Sequence, residues 1–365
     1  MRQHLVAYQG KRVFITGHTG FKGSWLMELL SLQGAILCGY SIDRQPISKV
    51  LGTASKCLDI QGDILDLAAL TAAIQDFKPD YLFHLAAQPL VRKSYETPLQ
   101  TFAVNALGTA HVLEALRTLS NPCTAILVTT DKVYRNNESG APFHEESPLG
   151  GLDPYSASKA CAEHIIESFR HSFFPTHSRT IHGKNIYSVR AGNVIGGGDW
   201  AVDRLFPDVV QSLLDGITIE LRNPHSIRPW QHVLDPLNGY LMLAAKASDN
   251  IGQLSNSYNF GPLPEEALTV ETVAKIAIDC WGCGSYQANS KASAVHEAGQ
   301  LRLDASKANK ELRWQPTWNT EISIRETIAW YKAFYLDPQN IEHFTRQQID
   351  QFLSSTGQVE TVWAS

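Results

Sequence analysis

Apolar residues follow two rhythms over the first 190 positions. Short, nearly continuous runs at 12–16 (RVFIT), 35–40 (AILCGY), 81–85 (YLFHL), 125–129 (AILVT) and 185–190 (NIYSVR) read as buried strands. Between them apolar residues recur at helical spacing: Trp25, Leu26, Leu29 and Leu30 first, then the stretches 67–77, 102–119 and 155–169. Strand and helix in alternation predict an α/β fold, a doubly wound parallel sheet with helices on both faces. In such sheets ligands bind beyond the carboxyl ends of the strands. After residue 190 the rhythm loosens into GNVIGGGDW and RNPHSIRPW, which predicts a smaller, loop-rich C-terminal substrate domain. The stretch 136–153, rich in Gly, Pro, Asn and Glu, reads as a long surface loop, and the tail after Pro338 as helical.

Composition narrows the function classes. With 365 residues, 18% charged and 44% hydrophobic, the chain can bury a substantial core. The net charge of -5 and the lack of a long basic stretch argue against nucleic acid. An anionic ligand therefore needs local Arg or Lys. The N-terminus has no signal-peptide core and no run is long enough to span a bilayer, so a cytoplasmic protein without a membrane partner is expected. The six cysteines are scattered. Cys280 and Cys283 (CWGC) lack a second pair or a spaced His, so no metal site is expected there. They sit where a helical pattern meets Gly282 and Gly284, a helix stop.

Three motifs carry chemistry. GHTGFKG, Gly17 to Gly23, joins the first strand to the first helix, where glycines give a tight turn and a helix N-terminus suited to a pyrophosphate. Asp43, after the second strand, suits a ribose and favours NAD; Arg44 beside it suits the extra phosphate of NADP. Tyr155 and Lys159 (YSASK) lie four apart on one helix face. A Tyr accepts an alcohol proton as phenolate, which a nearby ammonium stabilises. The third motif is VTTDKVY at 128–134. On a regular strand Asp131 and Lys132 face apart; if the strand ends here, both reach one pocket.

In this order GxxGxxG, HLAAQ (84–88), the strand-end Thr130 and YxxxK resemble the extended short-chain dehydrogenase/reductase family, over nearly the whole chain. Within it GHTGFKGSWL, AAQPLVRKSY, TTDKVY, DPYSASKACAE and RAGNVIGGGDWAVDRLFPD together resemble the 4,6-dehydratases that act on CDP-glucose. The resemblance implies a Rossmann-type NAD-binding domain at 1–191, with a returning segment near 232–262, and a nucleotide-sugar-binding domain at 192–365. It implies a hydro-lyase serving deoxysugar and surface polysaccharide synthesis. In the family reaction C4 is oxidised, water leaves across C5 and C6, and the hydride returns to C6.

Residue by residue, the resemblance makes Tyr155 the C4 base, Lys159 its electrostatic partner and Thr130 a hydrogen-bond partner of the C4 oxygen. Asp131 becomes the acid at O6 and Lys132 the base at C5, where the related dTDP-glucose enzymes carry Asp-Glu. An ordinary Lys near pKa 10.4 and Asp near 3.9 both start in the wrong state for these roles. NAD falls to Gly17, Thr19, Gly20, Phe21, Lys22, Gly23, Asp43, Arg44, Asp63, Ile64, Leu85, Ala86, Ala87 and Thr129, with Tyr155 and Lys159. The substrate falls to Gln88, Arg92, Asn105, Asn193, Arg204 and Arg228. Helices near 102–119 and 155–169 imply a homodimer by a four-helix bundle. A nucleotide-sugar 4-epimerase would share the fold, NAD and the Tyr-Lys pair without needing an acid-base pair at 131 and 132. A dehydratase for another nucleotide-glucose is a further alternative. A non-catalytic dinucleotide-binding regulator would typically lack the Tyr or the Lys.

Overall fold

The computed structural model describes residues 3–136, 140–201, 204–221, 223–249, 254–263, 266, 268–288 and 301–356. Seven strands form one parallel sheet: β1 (Arg12–Thr16), β2 (Ile36–Ser41), β3 (Leu58–Gln61), β4 (Tyr81–His84), β5 (Cys123–Val128), β6 (Lys184–Ala191) and β7 (Ser257–Phe260). Their order is β3-β2-β1-β4-β5-β6-β7. The chain therefore turns outward in both directions from the β1–β4 pair, and a crevice opens at that reversal. The register sets Thr16 beside His84, His84 beside Leu127, and Val128 beside Val189, so these strands end level with one another.

Helices α1 (Phe21–Leu32), α2 (Leu67–Phe77), α3 (Gly108–Thr118), α4 (Pro154–Ser172), α5 (Leu205–Leu214), α6 (Leu234–Asp249), α7 (Val270–Trp281), α8 (Thr320–Leu336) and α9 (Ile341–Ser355) complete the frame. Successive strand residues feed opposite cores. Val13, Ile15 and Val128 pack with Leu26, Leu30, Leu237 and Trp330 on one face. Phe14, Ala125 and Leu127 pack with Leu70, Ile74, Val112 and Ile166 on the other. Burial on both faces is why these strands lack polar alternation.

The structure refines several expectations. β3 is an added edge strand whose half-exposed LDIQ carries no apolar run. The helix expected over 102–119 is broken: Pro98–Phe102 leads into a π-helical turn, Ala103–Leu107, before α3. The loop after 136 is tied down by bridges from Tyr134 to Leu149 and Phe143 to Leu303. Gly282, at φ 95°, ends α7 as the sequence predicts. α9 docks on α1 through Arg346, which pairs with the buried Glu28 at 3.3 Å. No helix among the described residues is long and apolar enough to cross a membrane.

One buried acid makes stability depend on pH. Asp235 in α6 accepts the Thr317 N–H at 2.6 Å, while its Oδ2 has no hydrogen-bond partner among the described residues. Burial pushes its pKa up to about 8, more than the N–H groups of Thr317 and Trp318 pull it down. A carboxyl raised in the folded state stabilises fully below its unfolded value near 3.9 and loses that contribution as pH rises through about 8. The loss between pH 5 and pH 9 is on the order of 4 kcal/mol. Asp235→Asn, neutral at every pH, is expected to match wild type near pH 5 and to exceed it near pH 9 in urea-unfolding midpoint. Parallel pH curves for the two proteins would remove Asp235 as the cause.

Candidate active site

The first strand-to-helix turn is shaped by backbone contact. Gly17 has φ +74°, and a Cβ there would stand 2.6 Å from the Ala86 nitrogen. A Cβ on Gly23 would stand 2.1 Å from the Gly17 oxygen, so α1 can approach the turn only as glycine. Gly20 differs: the sole atom near its Cβ position is the Gly17 oxygen at 3.4 Å, and the residue faces the cavity. A side chain at 20 would clash with nothing in the protein and would fill the cradle instead. The first-turn N–H groups of α1 have no partner within the helix. A diphosphate fits this floor.

Thr19 donates through Oγ1 to the Asp43 carbonyl at 2.8 Å, closing the turn against the end of β2. Asp43 lines the cavity and accepts from Gln45 Nε2 at 2.7 Å. Arg44 is turned away: it pairs with Asp59 and is absent from the cavity wall. Asp63 and Ile64 line one end, and Leu85, Ala86 and Ala87 form a wall at the β4 terminus. The cavity measures about 1890 Å³. A pocket for one small ligand is typically about 300–1,000 Å³, so two sizeable ligands fit side by side.

At the end of β5 the strand stops as the chemistry requires. Thr130 is still extended, with φ -159°, and its side chain accepts from the Lys132 N–H at 3.4 Å. A tight 3-10 turn, Asp131–Val133, follows and breaks the two-residue alternation. Asp131 and Lys132 therefore both line the cavity, with Lys132 Nζ 3.5 Å from Asp131 Oδ1. The Thr130 hydroxyl donates to Asp131 Oδ1 at 3.0 Å. Tyr155 lines the cavity beside Thr130, so Tyr155, Thr130, Asp131 and Lys132 form one polar cluster.

α4 presents the Tyr-Lys pair. Asp153 caps it by accepting the Ser156 N–H at 3.0 Å, and this places Tyr155 in the first turn. Lys159, one turn on, donates to the Val128 carbonyl at 3.1 Å. Burial lowers the Lys159 pKa to about 8, and the Glu163 carboxylate resists that fall. Burial also raises the Tyr155 phenol, with the Lys132 charge the largest opposing influence. Lys22 reaches the same cavity; burial, then the Arg204 charge, lower it to about 8, while Asp131 raises it.

The expected substrate residues divide. Arg92, Asn193 and Arg204 line the cavity, and Arg204 pairs with Asp199 at 2.5 Å. Gln88 and Asn105 do not. The Gln88 amide accepts from Leu90 N at 2.7 Å and donates to Leu90 O at 3.1 Å and Thr101 Oγ1 at 3.0 Å. Asn105, on the π-helical turn, bonds the Gln88 backbone at 2.9 and 3.1 Å and Ser158 Oγ at 2.9 Å. Both amides satisfy the irregular backbone after β4 and brace it against α4. The side chain of Arg228, on the short strand Ile227–Arg228, lies outside the described residues. Sequence reasoning missed Asp199 and Trp200 of GGGDW, which line the cavity; an acid inside a glycine-rich run was the available signal. Among the described residues no cluster of His, Cys, Asp and Glu could hold a metal ion.

Solved structures share this architecture. The dTDP-glucose 4,6-dehydratase from Bacillus anthracis, in complex with NAD, matches with a TM-score of 0.72 at 22% identity over 88% of this chain and 96% of that one. The UDP-glucose 4-epimerase of Thermotoga maritima, with UDP-glucose, matches at 0.74 and 21% over 89% and 99%. At these identities the likeness establishes the fold. In sequence, the CDP-glucose 4,6-dehydratase of Salmonella typhimurium is 42% identical over 353 residues, 96% of this chain and 98% of that protein. A dTDP-glucose 4,6-dehydratase of Xanthomonas campestris is 27% identical, covering 87% and 92%. The profile of the GDP-mannose 4,6 dehydratase family matches residues 14–327. With that span, this chain belongs to the GDP-mannose 4,6 dehydratase family, among the extended short-chain dehydrogenases/reductases that its motifs resemble.

Proposed function

We propose that the chain catalyses the NAD-dependent 4,6-dehydration of CDP-glucose to CDP-4-dehydro-6-deoxyglucose, a step toward deoxysugars of surface polysaccharides such as O-antigen. The observation that carries this reading is the contact series Thr130–Asp131–Lys132 at the end of β5, facing the same cavity as Tyr155. A 4-epimerase needs its Tyr-Lys pair alone; an acid and a base placed together suit an elimination. The Salmonella relative supports CDP-glucose as the substrate.

The chemistry that NAD supplies when bound is reversible hydride acceptance. Tyr155 takes the proton of the C4 hydroxyl, and the Lys159 ammonium favours its phenolate form. Thr130 bonds the C4 oxygen and orients it. With C4 a ketone the C5 proton is acidic; Lys132 removes it while Asp131 delivers a proton to the departing O6 hydroxyl, so that water leaves. Gly20 leaves room for the pyrophosphate, and Asp43 selects a free ribose hydroxyl over a phosphate. Arg204 supplies charge for the substrate diphosphate, and Arg92 reaches toward the sugar.

We assign residues 1–191, with a returning segment near 232–262, to NAD and 192–365 to the nucleotide sugar. The six free cysteines suit a reducing cytoplasm. A homodimer through α3 and α4 and their flanking helices is supported by apolar side chains left exposed there: Leu99 at 85%, Leu107 at 49% and Phe173 at 47%.

Incubation with CDP-, dTDP-, UDP- and GDP-glucose tests the substrate: the 4-keto-6-deoxy product is expected from CDP-glucose, with no net NADH. Steady NADH accumulation would instead mark a simple dehydrogenase. Lys132→Ala is expected to keep C4 oxidation and to lose about 10²–10⁴-fold in the elimination, so that reduced cofactor builds up in a single turnover. Tyr155→Phe is expected to suppress that absorbance change itself. Wild-type turnover by Lys132→Ala would remove Lys132 as the base. Light scattering at micromolar concentration is expected to give the mass of a dimer, and a monomer would contradict the assembly.

A further inference from the structure

Behind the Tyr-Lys pair lies an anion that does not touch the cavity. Glu163 sits on α4 one turn beyond Lys159, on the same helix face. Its carboxylate is buried and fully engaged. Arg190 Nε donates to Oε1 at 2.8 Å and Nη2 to Oε2 at 2.9 Å. Ser188 Oγ donates to Oε2 at 2.9 Å, and the Thr129 hydroxyl donates to Oε1. Arg190 is anchored in turn through Nη1, to the Tyr134 hydroxyl at 2.7 Å and the Glu145 carbonyl at 3.0 Å. Burial pushes the Glu163 carboxyl up, but the Arg190 charge and these hydrogen bonds outweigh it and hold the group below the usual range. Glu163 is therefore a fixed charge.

Lys159 needs such a charge. It is buried, with the Val128 carbonyl as its hydrogen-bond acceptor. Its charged surroundings are Glu163 and Tyr155 on its own helix, Asp131 and Lys132 at the β5 end, Lys22 from the glycine turn and His84 from β4. Two of these are cations. His84 stays neutral, its pKa lowered to about 3 by burial and by Lys159. Asp131 is engaged with Thr130 and Lys132.

We propose that Glu163, clamped by Arg190, is the positioning residue of the oxidation step: it keeps Lys159 charged beside Tyr155 and ties their helix to the β5 terminus through Thr129. This rests on the reading of Tyr155 and Lys159 given above.

The test follows Lys159 directly in the full-length protein, without substrate. Competitive labelling with a small acylating reagent, read peptide by peptide by mass spectrometry, gives the pH midpoint of each lysine. In Glu163→Gln the Lys159 midpoint is expected to fall by about one pH unit or more, with surface lysines unmoved. Because that variant leaves Arg190 buried without its anion, Glu163→Gln/Arg190→Met serves as a second form with a neutral interior; a fall in the same direction is expected, smaller because the Arg190 cation is gone as well. Glu163→Asp keeps the anion and should return the midpoint close to wild type. With CDP-glucose, the alkaline limb of the oxidation step should move with the midpoint while KM stays near wild type. A Lys159 midpoint unchanged in both folded Gln variants overturns the proposal. The labelling decides it even where no nucleotide diphosphoglucose is turned over, an outcome that would sink the functional reading alone.

Discussion

Gly17 and Ala86 meet backbone to backbone across the split between β1 and β4, where a Cβ on residue 17 would lie 2.6 Å from the Ala86 nitrogen. Most of the site follows from that approach. The sheet reverses its winding at this pair, so the loops leaving β1 and β4 diverge and leave a crevice. Side chains at the junction would fill it. Glycine on one side and alanine on the other keep the floor thin, and the cavity runs unbroken from Asp63 to Arg204. The level strand ends then bring β5 beside the same crevice, so a turn at residue 131 delivers its side chains into it.

A second constraint fixes what the crevice contains. The Glu163–Arg190 pair buries two full charges, which is costly unless geometry and hydrogen bonds are nearly complete. Here the α4 carboxylate is met by the guanidinium and the Ser188 hydroxyl from β6 and by the Thr129 hydroxyl from the β5 terminus. Removing either partner strands the other in the interior, at a typical cost of about 3–5 kcal/mol. The pair thus welds the helix carrying Tyr155 and Lys159 to the strand end carrying Thr130 and Asp131.

Much of this was readable from the sequence because local physics produced it. β1 and β5 are buried on both faces and so appear as unbroken apolar runs. The turn at 17–23 needs glycine for steric reasons that do not depend on distant residues. The misreadings share another cause. β3 is a half-exposed edge strand, held by its pairing with β2 and not by its own pattern. Gln88 and Asn105 look like ligand-binding amides, yet the Asn105 amide holds the Gln88 backbone 17 residues away and the Gln88 amide holds Leu90 and Thr101. Arg44 suits a phosphate as a lone side chain, yet its counter-ion Asp59 lies 15 residues away. Glu163 stands in plain view in YSASKACAE, but Arg190, which fixes its charge, comes from the next strand. A polar side chain announces its chemistry in sequence; its partner is settled only by tertiary contact.

The Asp-Lys tandem shows how a single turn at a strand end sets two unlike groups against one cavity. The Asp131 side chain is 4% exposed and that of Lys132 34%. The Asp131 carboxylate is met at Oδ1 by the Thr130 hydroxyl at 3.0 Å and by Lys132 Nζ at 3.5 Å, so its neighbours fix where it points. Lys22, Lys132, Lys159 and Arg204 all line the cavity, so an anionic ligand meets local positive charge there although the chain as a whole is acidic. A ligand seated over Lys132 would cover the exposed edge of its side chain and give it the burial that Asp131 already has.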